Sequence, residues 1–440
     1  MKKATAIKIL ILLILIAVGV ISYYFFFQNN QESTREVVSP EQPNSNFFPD
    51  SENFNQGTTD QPQNNDQRPN RDSQDITTLR QISENPTAGF IIFDETSTTT
   101  NELVNNTGDG DEEVVIEEVV DSKTVYRFVN KSNGNIFETD SKTSSINRIT
   151  NKTIPKIQDS IFSKDGNNVI FRYLDNSNRI ESVFLKLMDN KSSTTTDDTS
   201  ENTNSFKELE TNFLPKNITN LDINNEDVLY TLETNNGLNG FVFNVDSILD
   251  QTLSFGSKLS QVDVKWLNEN SVLIGTKPSN SSNGLLFQYN LETKQTNKII
   301  ESRIGFNFLP NKNSNFIVYS ELSGDSINSY SYNIETNETI DLNLNTIVSD
   351  KCAWSNVEDT IIYCAVPNNQ IGFGYPNTWY QGQVSFNDSL YQIDVESDLK
   401  IKIDGLEGDF DIINPQVSNN DEYITFVNKK DLTLWSLDIK

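Results

Sequence analysis

The sequence VIFRYL at residues 169–174 decides the fold, because a run of the same kind recurs along most of the chain. Seven such runs, rich in β-branched and aromatic residues, start at Val125, Val169, Val228, Val272, Phe316, Ile361 and Tyr423. Successive runs start 44, 59, 44, 44, 45 and 62 residues apart, and each of the two longer gaps contains an insertion. Several short strands repeated every 40–50 residues or so are typical of propeller blades. The sequence therefore predicts an all-β, seven-bladed β-propeller over residues 77–440.

Each run has the same kinds of segment around it. A polar turn precedes the run, as in IFSKDGNN (161–168), and an alternating strand with an aromatic residue follows it, as in GFVFNV (240–245). Period-two alternation bounded by turn residues is typical of half-buried antiparallel strands. The predicted blades cover about residues 84–153, 154–214, 215–258, 259–303, 304–347 and 348–407, and the seventh combines residues 408–440 with 77–83.

The seventh repeat needs a strand from elsewhere, since it stops at Lys440 after three strands where earlier repeats continue into a fourth. A missing outer strand would leave an exposed edge and an open ring. The segment TTLRQIS (77–83) alternates like the outer strand INRIT (146–150), so we predict that it pairs antiparallel with residues 433–438. The alternative is that 77–83 belongs to the preceding linker. For the inner strand of the first blade, the segments AGFIIFDE and VVIEEVV both remain candidates.

The composition excludes several classes of function. A formal net charge of −28 with no cationic stripe opposes phosphate binding, so no nucleic-acid partner is expected. The chain has no histidine, which removes Ser–His–Asp and Cys–His catalysis and His-ligated zinc. We predict no cofactor and no metal centre, and any catalysis would use carboxylates, Tyr, Lys or Ser. The acidic run DGDEE (109–113) lacks the spacing of a calcium-binding EF-hand and predicts a solvated loop.

The amino-terminal part predicts a membrane anchor and a linker. Residues 9–27 (ILILLILIAVGVISYYFFF) carry no charge and would span about 28 Å as a helix, enough to cross a bilayer core. Lysines precede this run, so residues 1–8 are expected in the cytoplasm and the propeller outside it, at the cell surface or in the periplasm. A cleaved signal peptide is the alternative, but the run ends in bulky aromatic residues. Residues 28–76, rich in Asn, Gln, Pro and Ser, predict a disordered tether.

The turn from Ser163 to Gly166 (SKDG) resembles the Ser-x-Asp-Gly hairpin of TolB-type, WD-repeat-like propellers. The resemblance covers roughly residues 77–440, and its motif is complete only in the second repeat. Because Asp-Gly supplies a turn with a positive-φ residue, the motif is structural. TolB-type repeats occur in periplasmic scaffolds, peptidase gating domains and many surface proteins, so the resemblance implies the fold and leaves the function open. The stretches IPKIQDSIFSKDG (154–166), YCAVP (363–367) and WYQGQVSFND (379–388) also resemble membrane-anchored propellers of reduced-genome bacteria, for which no activity is implied.

Two insertions lengthen the second and sixth repeats. Residues 189–205 (DNKSSTTTDDTSENTNS) are polar and of low complexity, which predicts a solvated loop. Residues 368–383 (NNQIGFGYPNTWYQGQ) place four aromatic residues in a Gly/Pro-rich loop. Aromatic residues on a loop above a rigid scaffold often contact ligands, and the candidate binding residues are therefore Phe373, Tyr375, Trp379 and Tyr380. The alternative is that they fold back over the edge of their own blade, because large aromatic side chains favour burial.

The two cysteines predict a disulfide in the sixth blade. Cys352 and Cys364 lie on neighbouring predicted strands, and the register that pairs Trp354 with Ile362 places the cysteines opposite each other. Opposed positions lie about 4.5–5.5 Å apart, which suits a disulfide. An extracytoplasmic location permits oxidation. Two free, buried thiols are the alternative.

These features favour a binding or scaffolding module. The predicted partners are the cytoplasmic membrane, through residues 9–27, and an envelope or surface protein or a glycan. The alternative is a carboxylate-dependent, glycan-active enzyme, a glycosidase or lyase with its site in the central channel. That chemistry needs two carboxylates with separated pKa values about 5–10 Å apart. A sensor ectodomain is a third possibility, but eight cytoplasmic residues leave no signalling domain.

Overall fold

The computed structural model describes residues 79–106, 112–143, 145–188, 206–312, 315–324, 326–369 and 371–440. The predicted cytoplasmic segment, membrane span and tether lie outside these residues, as do residues 109–111 of the acidic run and the insertion 189–205. No helix in the described part of the chain is both long enough and apolar enough to cross a membrane. Residues 75–440 form one compact unit.

The described residues form seven four-stranded antiparallel sheets and two short helices. In chain order the strands are β1 Leu79–Gln81, β2 Thr87–Asn106, β3 Glu112–Asn130, β4 Ile136–Asp140, β5 Asn147–Arg148, β6 Ile157–Phe162, β7 Asn168–Leu174, β8 Ile180–Met188, β9 Glu208–Phe213, β10 Ile218–Asn224, β11 Asp227–Thr234, β12 Gly237–Asn244, β13 Thr252–Ser257, β14 Val262–Asn268, β15 Ser271–Thr276, β16 Asn283–Asn290, β17 Thr296–Ile304, β18 Asn307–Pro310, β19 Phe316–Ser323, β20 Ser326–Asn333, β21 Thr339–Asp341, β22 Cys352–Trp354, β23 Ile361–Pro367, β24 Asp388–Asp394, β25 Lys400–Lys402, β26 Ile412–Val417, β27 Tyr423–Asn428 and β28 Leu434–Asp438. The helices are α1 Val348–Lys351 and α2 Asn377–Tyr380.

Blades 1 to 6 each consist of four consecutive strands, from β2–β5 for blade 1 to β22–β25 for blade 6. The segment AGFIIFDE lies in β2, the first strand of blade 1, which settles the choice that the sequence leaves open. The segment VVIEEVV lies in the far part of β3, which pairs with β2 there, while β4 pairs only with Val125–Val129. β2 and β3 therefore continue beyond their blade as a two-stranded ribbon.

Blade 7 takes its strands from both ends of the propeller, in the order β1-β28-β27-β26. β1 pairs antiparallel with β28, and Leu79 lies opposite Leu437. The backbone N–H of Leu434 donates to Ser83 Oγ at 3.0 Å, and Ile82 is fully buried. This pairing is the one that the sequence predicts for residues 77–83.

The hydrophobic core is divided among the interfaces between neighbouring blades, with one buried cluster at each of the seven interfaces of the described residues. The second strand of a blade contributes side chains to two clusters. Val169 packs between blades 1 and 2, and its neighbour Ile170 packs between blades 2 and 3. Both faces of that strand are covered, which explains why the seven runs are continuously apolar. The cluster between blades 7 and 1 includes Ile82, Phe90 and Leu434, so the ring is closed.

The predicted disulfide is present in blade 6. Cys352 and Cys364 are bonded, with their Cα atoms 4.1 Å apart. They lie opposite each other in the predicted register, next to the pair of Trp354 and Ile362. Both are buried in the cluster between blades 5 and 6, so the bond joins two neighbouring strands of blade 6 within a packed interface.

The Ser-Lys-Asp-Gly turn has the structural role expected of it. Ser163 Oγ donates to Asp165 Oδ1 at 2.5 Å, and the backbone N–H of Asn167 donates to the same oxygen at 3.0 Å. Gly166 has a φ of +70°, a conformation that favours glycine. Its carbonyl oxygen accepts a 2.6 Å hydrogen bond from Arg127 of blade 1, so the turn also links two blades.

Candidate functional site in the central channel

The blade-six loop, residues 368–383 between β23 and β24, reaches past its neighbour to blade 4. Asn280, in the connection between β15 and β16, donates from its backbone N–H to Asn377 Oδ1 at 3.0 Å and from Nδ2 to the carbonyl of Gly374 at 3.1 Å. Apolar side chains of the loop pack on Leu322 and Ile327 of blade 5. Because blades 4 and 6 are not neighbours, the loop forms a cap held by three blades.

The structure separates the four aromatic residues predicted to bind a ligand. Tyr375 and Trp379 are only 2% and 1% exposed and pack beneath the cap, as the folding-back alternative expects. Tyr380 is 43% exposed and lines the central cavity. Phe373 is 93% exposed and is not part of the cavity wall. Of the four, Tyr380 is thus the one placed to contact a molecule in the channel, and the binding role itself stays a prediction.

The cavity has a volume of about 780 Å³ and is lined by the first strands of blades 2, 3, 4, 5 and 7, together with α1 and α2. The Tyr380 hydroxyl donates to Asp350 Oδ2 at 2.8 Å, and Ser349 Oγ donates to the same oxygen at 2.6 Å. The cap and α1 are therefore joined at the mouth of the channel by a shared carboxylate.

The wall carries charges of both signs in equal number. The acidic residues are Asp159, Asp222, Asp263 and Asp350, and the basic residues are Arg172, Lys265, Lys277 and Lys312. Arg172 pairs with Asp159 at 3.3 Å and Lys312 with Asp222 at 3.1 Å. Lys265, Lys277 and Asp263 form no ion pair with any described residue. In a chain of net charge −28, the charges of the cavity wall are therefore balanced locally.

Two groups in the wall have shifted pKa values. Desolvation raises the pKa of the Asp263 carboxyl, the charge of Asp350 adds to the rise, and Lys265 and Lys277 oppose it. Burial raises the pKa of Tyr380 well above its usual range, and the Asp350 carboxylate adds to that rise. Tyr380 is thus a hydroxyl donor at every physiological pH. Within the described ranges, no group of three or more His, Cys, Asp or Glu is placed to hold a metal ion.

Beneath the cap lies a charged cluster formed by Lys351, Asp388 and Asp411. Lys351 Nζ donates to Asp388 Oδ2 at 2.5 Å, to Asp411 Oδ1 at 2.7 Å and to the carbonyl of Ile412 at 3.1 Å. All three charged side chains are 0% exposed. Trp379 Nε1 donates to both carboxylate oxygens of Asp411, at 3.1 and 3.0 Å. The cluster fastens the cap to the interface between blades 6 and 7.

The charged residues of the site were missed by the sequence analysis. For Asp263 and Lys265 the sequence does contain a signal. In VDVKW (262–266), alternation places these two residues on the face opposite Val262 and Val264. In the first strand of a blade that face meets the channel. No comparable signal exists for the charged cluster, because Lys351 lies 37 and 60 residues from its two carboxylate partners.

No protein-family model matches the chain, and no curated protein matches it. Solved structures do match. The β-propeller domain of the trilobed protease from Pyrococcus furiosus is 13% identical, and the match covers 72% of this chain and 92% of that one with a TM-score of 0.46. Oligogalacturonate lyase from Vibrio parahaemolyticus is 11% identical over 82% of this chain and 93% of that one, with a TM-score of 0.46. A putative TolB from Agrobacterium tumefaciens is 11% identical over 49% and 76%, with a TM-score of 0.34. These likenesses concern the fold alone. The seven four-stranded sheets themselves show that the described chain is an all-β, seven-bladed propeller.

Proposed function

We propose that the protein is a membrane-anchored, extracytoplasmic β-propeller that binds an envelope or surface protein or a glycan in its capped channel. Residues 9–27 would be the anchor and residues 28–76 the tether. The observation that carries the proposal is the cavity of about 780 Å³ with Tyr380 at its mouth. Its volume lies within the range of roughly 300–1,000 Å³ that is common for ligand pockets.

The chemistry of the wall suits a polyhydroxylated or peptide ligand. The amide side chains of Asn220, Asn377, Gln381 and Asn414 line the cavity. Amides both donate and accept hydrogen bonds, as sugar hydroxyls and peptide groups do. The half-exposed ring of Tyr380 offers an apolar surface beside a hydroxyl. The unpaired ammonium groups of Lys265 and Lys277 would add affinity for a ligand that carries carboxylates.

Binding is tested with the full chain in detergent against isolated envelope glycans and envelope proteins. We expect a retained ligand whose affinity falls at least about tenfold in Lys277→Ala, because a charge-assisted hydrogen bond contributes on the order of 1.5–3 kcal/mol. Lys294→Ala is the matched control, since Lys294 bonds the carbonyl of Ser254 away from the channel. Equal affinity of the two variants would contradict the channel as the binding site. Failure to retain a ligand from either the glycans or the proteins would contradict the binding function.

The anchor and its orientation are tested by adding protease to intact spheroplasts that express the full chain. We expect the propeller to be digested and residues 1–8 to be protected, because the lysines before the uncharged run favour the cytoplasmic side. Full protection of residues 77–440 would contradict the orientation, and recovery of the intact chain in the soluble fraction would contradict the anchor.

A second candidate is the carboxylate-dependent, glycan-active enzyme, and the environment of Asp263 favours it. Desolvation makes this carboxyl hold its proton more tightly than an ordinary aspartate, and the charge of Asp350 strengthens the effect. A general acid and an ionised carboxylate in one cavity are what glycoside cleavage requires. Under this hypothesis the bound glycan is cleaved during incubation, and Asp263→Asn retains binding but loses cleavage. A glycan recovered intact after long incubation with the wild-type chain would exclude the hypothesis for that glycan.

A further inference from the structure

The charged cluster has chemistry that the proposed ligand site does not use. The amine of Lys351 lies within hydrogen-bonding distance of the carboxyls of both Asp388 and Asp411. The three side chains are fully buried, so bulk water does not reach them. The rings of Trp379 and Phe386 lie 5.2 and 5.8 Å from Lys351 Nζ and enclose the amine. An amine is thus held beside carboxyl groups in a dry, aromatic compartment.

The two carboxyls are in different environments. Asp411 accepts hydrogen bonds from four groups, namely Lys351 Nζ, the Trp379 indole, Ser385 Oγ and the Phe386 backbone N–H. Within the described ranges, Asp388 accepts only from Lys351 Nζ and the Ile412 backbone N–H, both on Oδ2. Asp388 Oδ1 is buried and has no hydrogen-bond partner among the described residues.

These environments shift the pKa values of the two carboxyls in opposite directions. Burial raises the pKa of Asp388 against the opposing charge of Lys351, which favours its neutral form. Burial also disfavours ionisation of Asp411, but the charge and hydrogen bond of Lys351 and the bonds from Phe386 and Trp379 outweigh it, and the net effect is a lowered pKa. Asp388 is therefore the better electrophile, and Asp411 the better proton acceptor.

Burial of the charged groups favours condensation of the amine with a carboxyl group. In water, hydration of the ions opposes condensation of an amine with a carboxylic acid. In a buried site that hydration is already lost, and the desolvation penalty of an ion pair can exceed its Coulombic gain. Held side by side, the reacting groups also need no further loss of translational freedom. A neutral amide in place of these buried charges would relieve that desolvation.

We propose that Lys351 and Asp388 form an intramolecular amide cross-link, with Asp411 as the group that accepts the proton of the Lys351 ammonium. The bond from Lys351 Nζ to Asp388 Cγ forms as the bond from Cγ to one carboxyl oxygen breaks. Asp411 takes one of the three ammonium protons, and the leaving oxygen departs as water with the Asp388 carboxyl proton and a second proton from the nitrogen. The third ammonium proton stays on the amide nitrogen. No electrons are exchanged and no other reactant is needed. The cross-link closes a loop of 37 residues that contains the cap, and it is independent of any ligand in the channel.

The full-length chain is tested by mass spectrometry after denaturation and reduction of its disulfide. We expect a mass about 18 Da below that of the sequence, the mass of one water. Lys351 is the only tryptic site between Lys312 and Lys400. Acylated Lys351 resists trypsin, so residues 313–400 should remain one peptide that carries the deficit, and fragmentation should place it on Lys351 and Asp388. A wild-type chain of full sequence mass that is cleaved after Lys351 would overturn the proposal without any variant.

Three variants assign the roles. Lys351→Arg keeps the positive charge but should restore the full mass. Asp411→Asn should also restore it, although both reacting residues are still present. Lys429→Arg is the matched control, because Lys429 lies 4.7 Å from the same Trp379 ring and should leave the deficit unchanged. A deficit that persists in Lys351→Arg, disappears in Lys429→Arg or maps to Asp411 would contradict the assignment.

Discussion

Trp379 joins the cap to the charged cluster through its indole and its backbone. The indole N–H is bonded to Asp411, and the carbonyl of Trp379 accepts a 2.8 Å hydrogen bond from Lys429 Nζ. Burial lowers the pKa of the Lys429 amine, and the charge of Lys351 adds to that fall. At this position an aromatic residue of the loop therefore contributes packing and hydrogen bonding.

Replacing Trp379 with Phe should lower the free energy of unfolding by about 1–3 kcal/mol, because Asp411 loses a donor in a buried site. Chemical denaturation of the purified chain measures the change. The control is Phe373→Ala in the same loop, which should stay within about 0.5 kcal/mol because Phe373 is 93% exposed. Similar losses in the two variants would show that the indole hydrogen bond contributes little.

Glycine is required at position 166 both for its positive φ and for lack of space for a Cβ. A matched pair of variants separates these two contributions. Gly166 has a φ of +70°, and an added Cβ would lie 2.7 Å from the Phe93 ring and 3.1 Å from the Arg127 guanidinium. Gly324 has a φ of +65° but no described atom within 4 Å of such a Cβ. Gly324→Ala should therefore cost about 1 kcal/mol of backbone strain, and Gly166→Ala about 1–3 kcal/mol. Equal melting temperatures for the two variants would contradict the steric contribution.

At the scale of the element, β22 and β23 form a hairpin that is fixed by pairing, packing and a covalent bond together. β22 is only three residues long, and Cys352 at its start is bonded to Cys364 across the pair. Both sulfur atoms lie in the core between blades 5 and 6. The bond therefore constrains a short strand that has few backbone hydrogen bonds of its own.

Removing the disulfide with Cys352→Ser and Cys364→Ser together should lower the free energy of unfolding by about 3 kcal/mol, from the loop-closure entropy of the unfolded chain. Denaturation with and without reductant measures the effect. Reductant should destabilise the wild-type chain and leave the double variant unchanged. A wild-type chain whose stability does not respond to complete reduction would contradict the contribution.

The strands were predictable from the sequence where local patterns determine them. The apolar runs in β3, β7, β11 and their equivalents are buried on both faces, so their composition alone identifies them as buried strands. The cysteine register was predictable because a short turn between two strands leaves few alternatives. The placement of Tyr375, Trp379 and Tyr380 was not, since all three have similar chemistry and only contacts with residues distant in sequence decide which of them is buried.

At the scale of the whole molecule, ring closure depends on a strand from the amino-terminal side of the propeller. β1 has three residues, and the buried side chain of Ile82 follows it in the cluster between blades 7 and 1. Arg80 also donates to the carbonyl of Asp140 at 2.8 Å and to Thr139 Oγ1 at 3.0 Å, which ties β1 to blade 1. The charges that line the channel come from blades 2, 3, 4 and 5 and from α1, so no single segment of sequence contains the site.

A chain that begins at residue 85 should be markedly less stable than one that begins at Thr77. The longer chain keeps β1 and Ile82, and loss of a buried isoleucine side chain alone costs about 2–5 kcal/mol. Thermal unfolding of the two purified propellers measures the difference. The full-length chain with Ile82→Ala is a milder test of the same cluster. Equal melting temperatures for the two truncated chains would contradict the contribution of β1 to closure.

Closure by β1 also determines how the ring responds to mechanical load. Any pull on the polypeptide that precedes Leu79 reaches the propeller first at β1 and its few hydrogen bonds to β28. The disulfide lies in blade 6, away from this load path. Under tension β1 would therefore detach first. The interface between blades 7 and 1 would open while the other six interfaces stay packed.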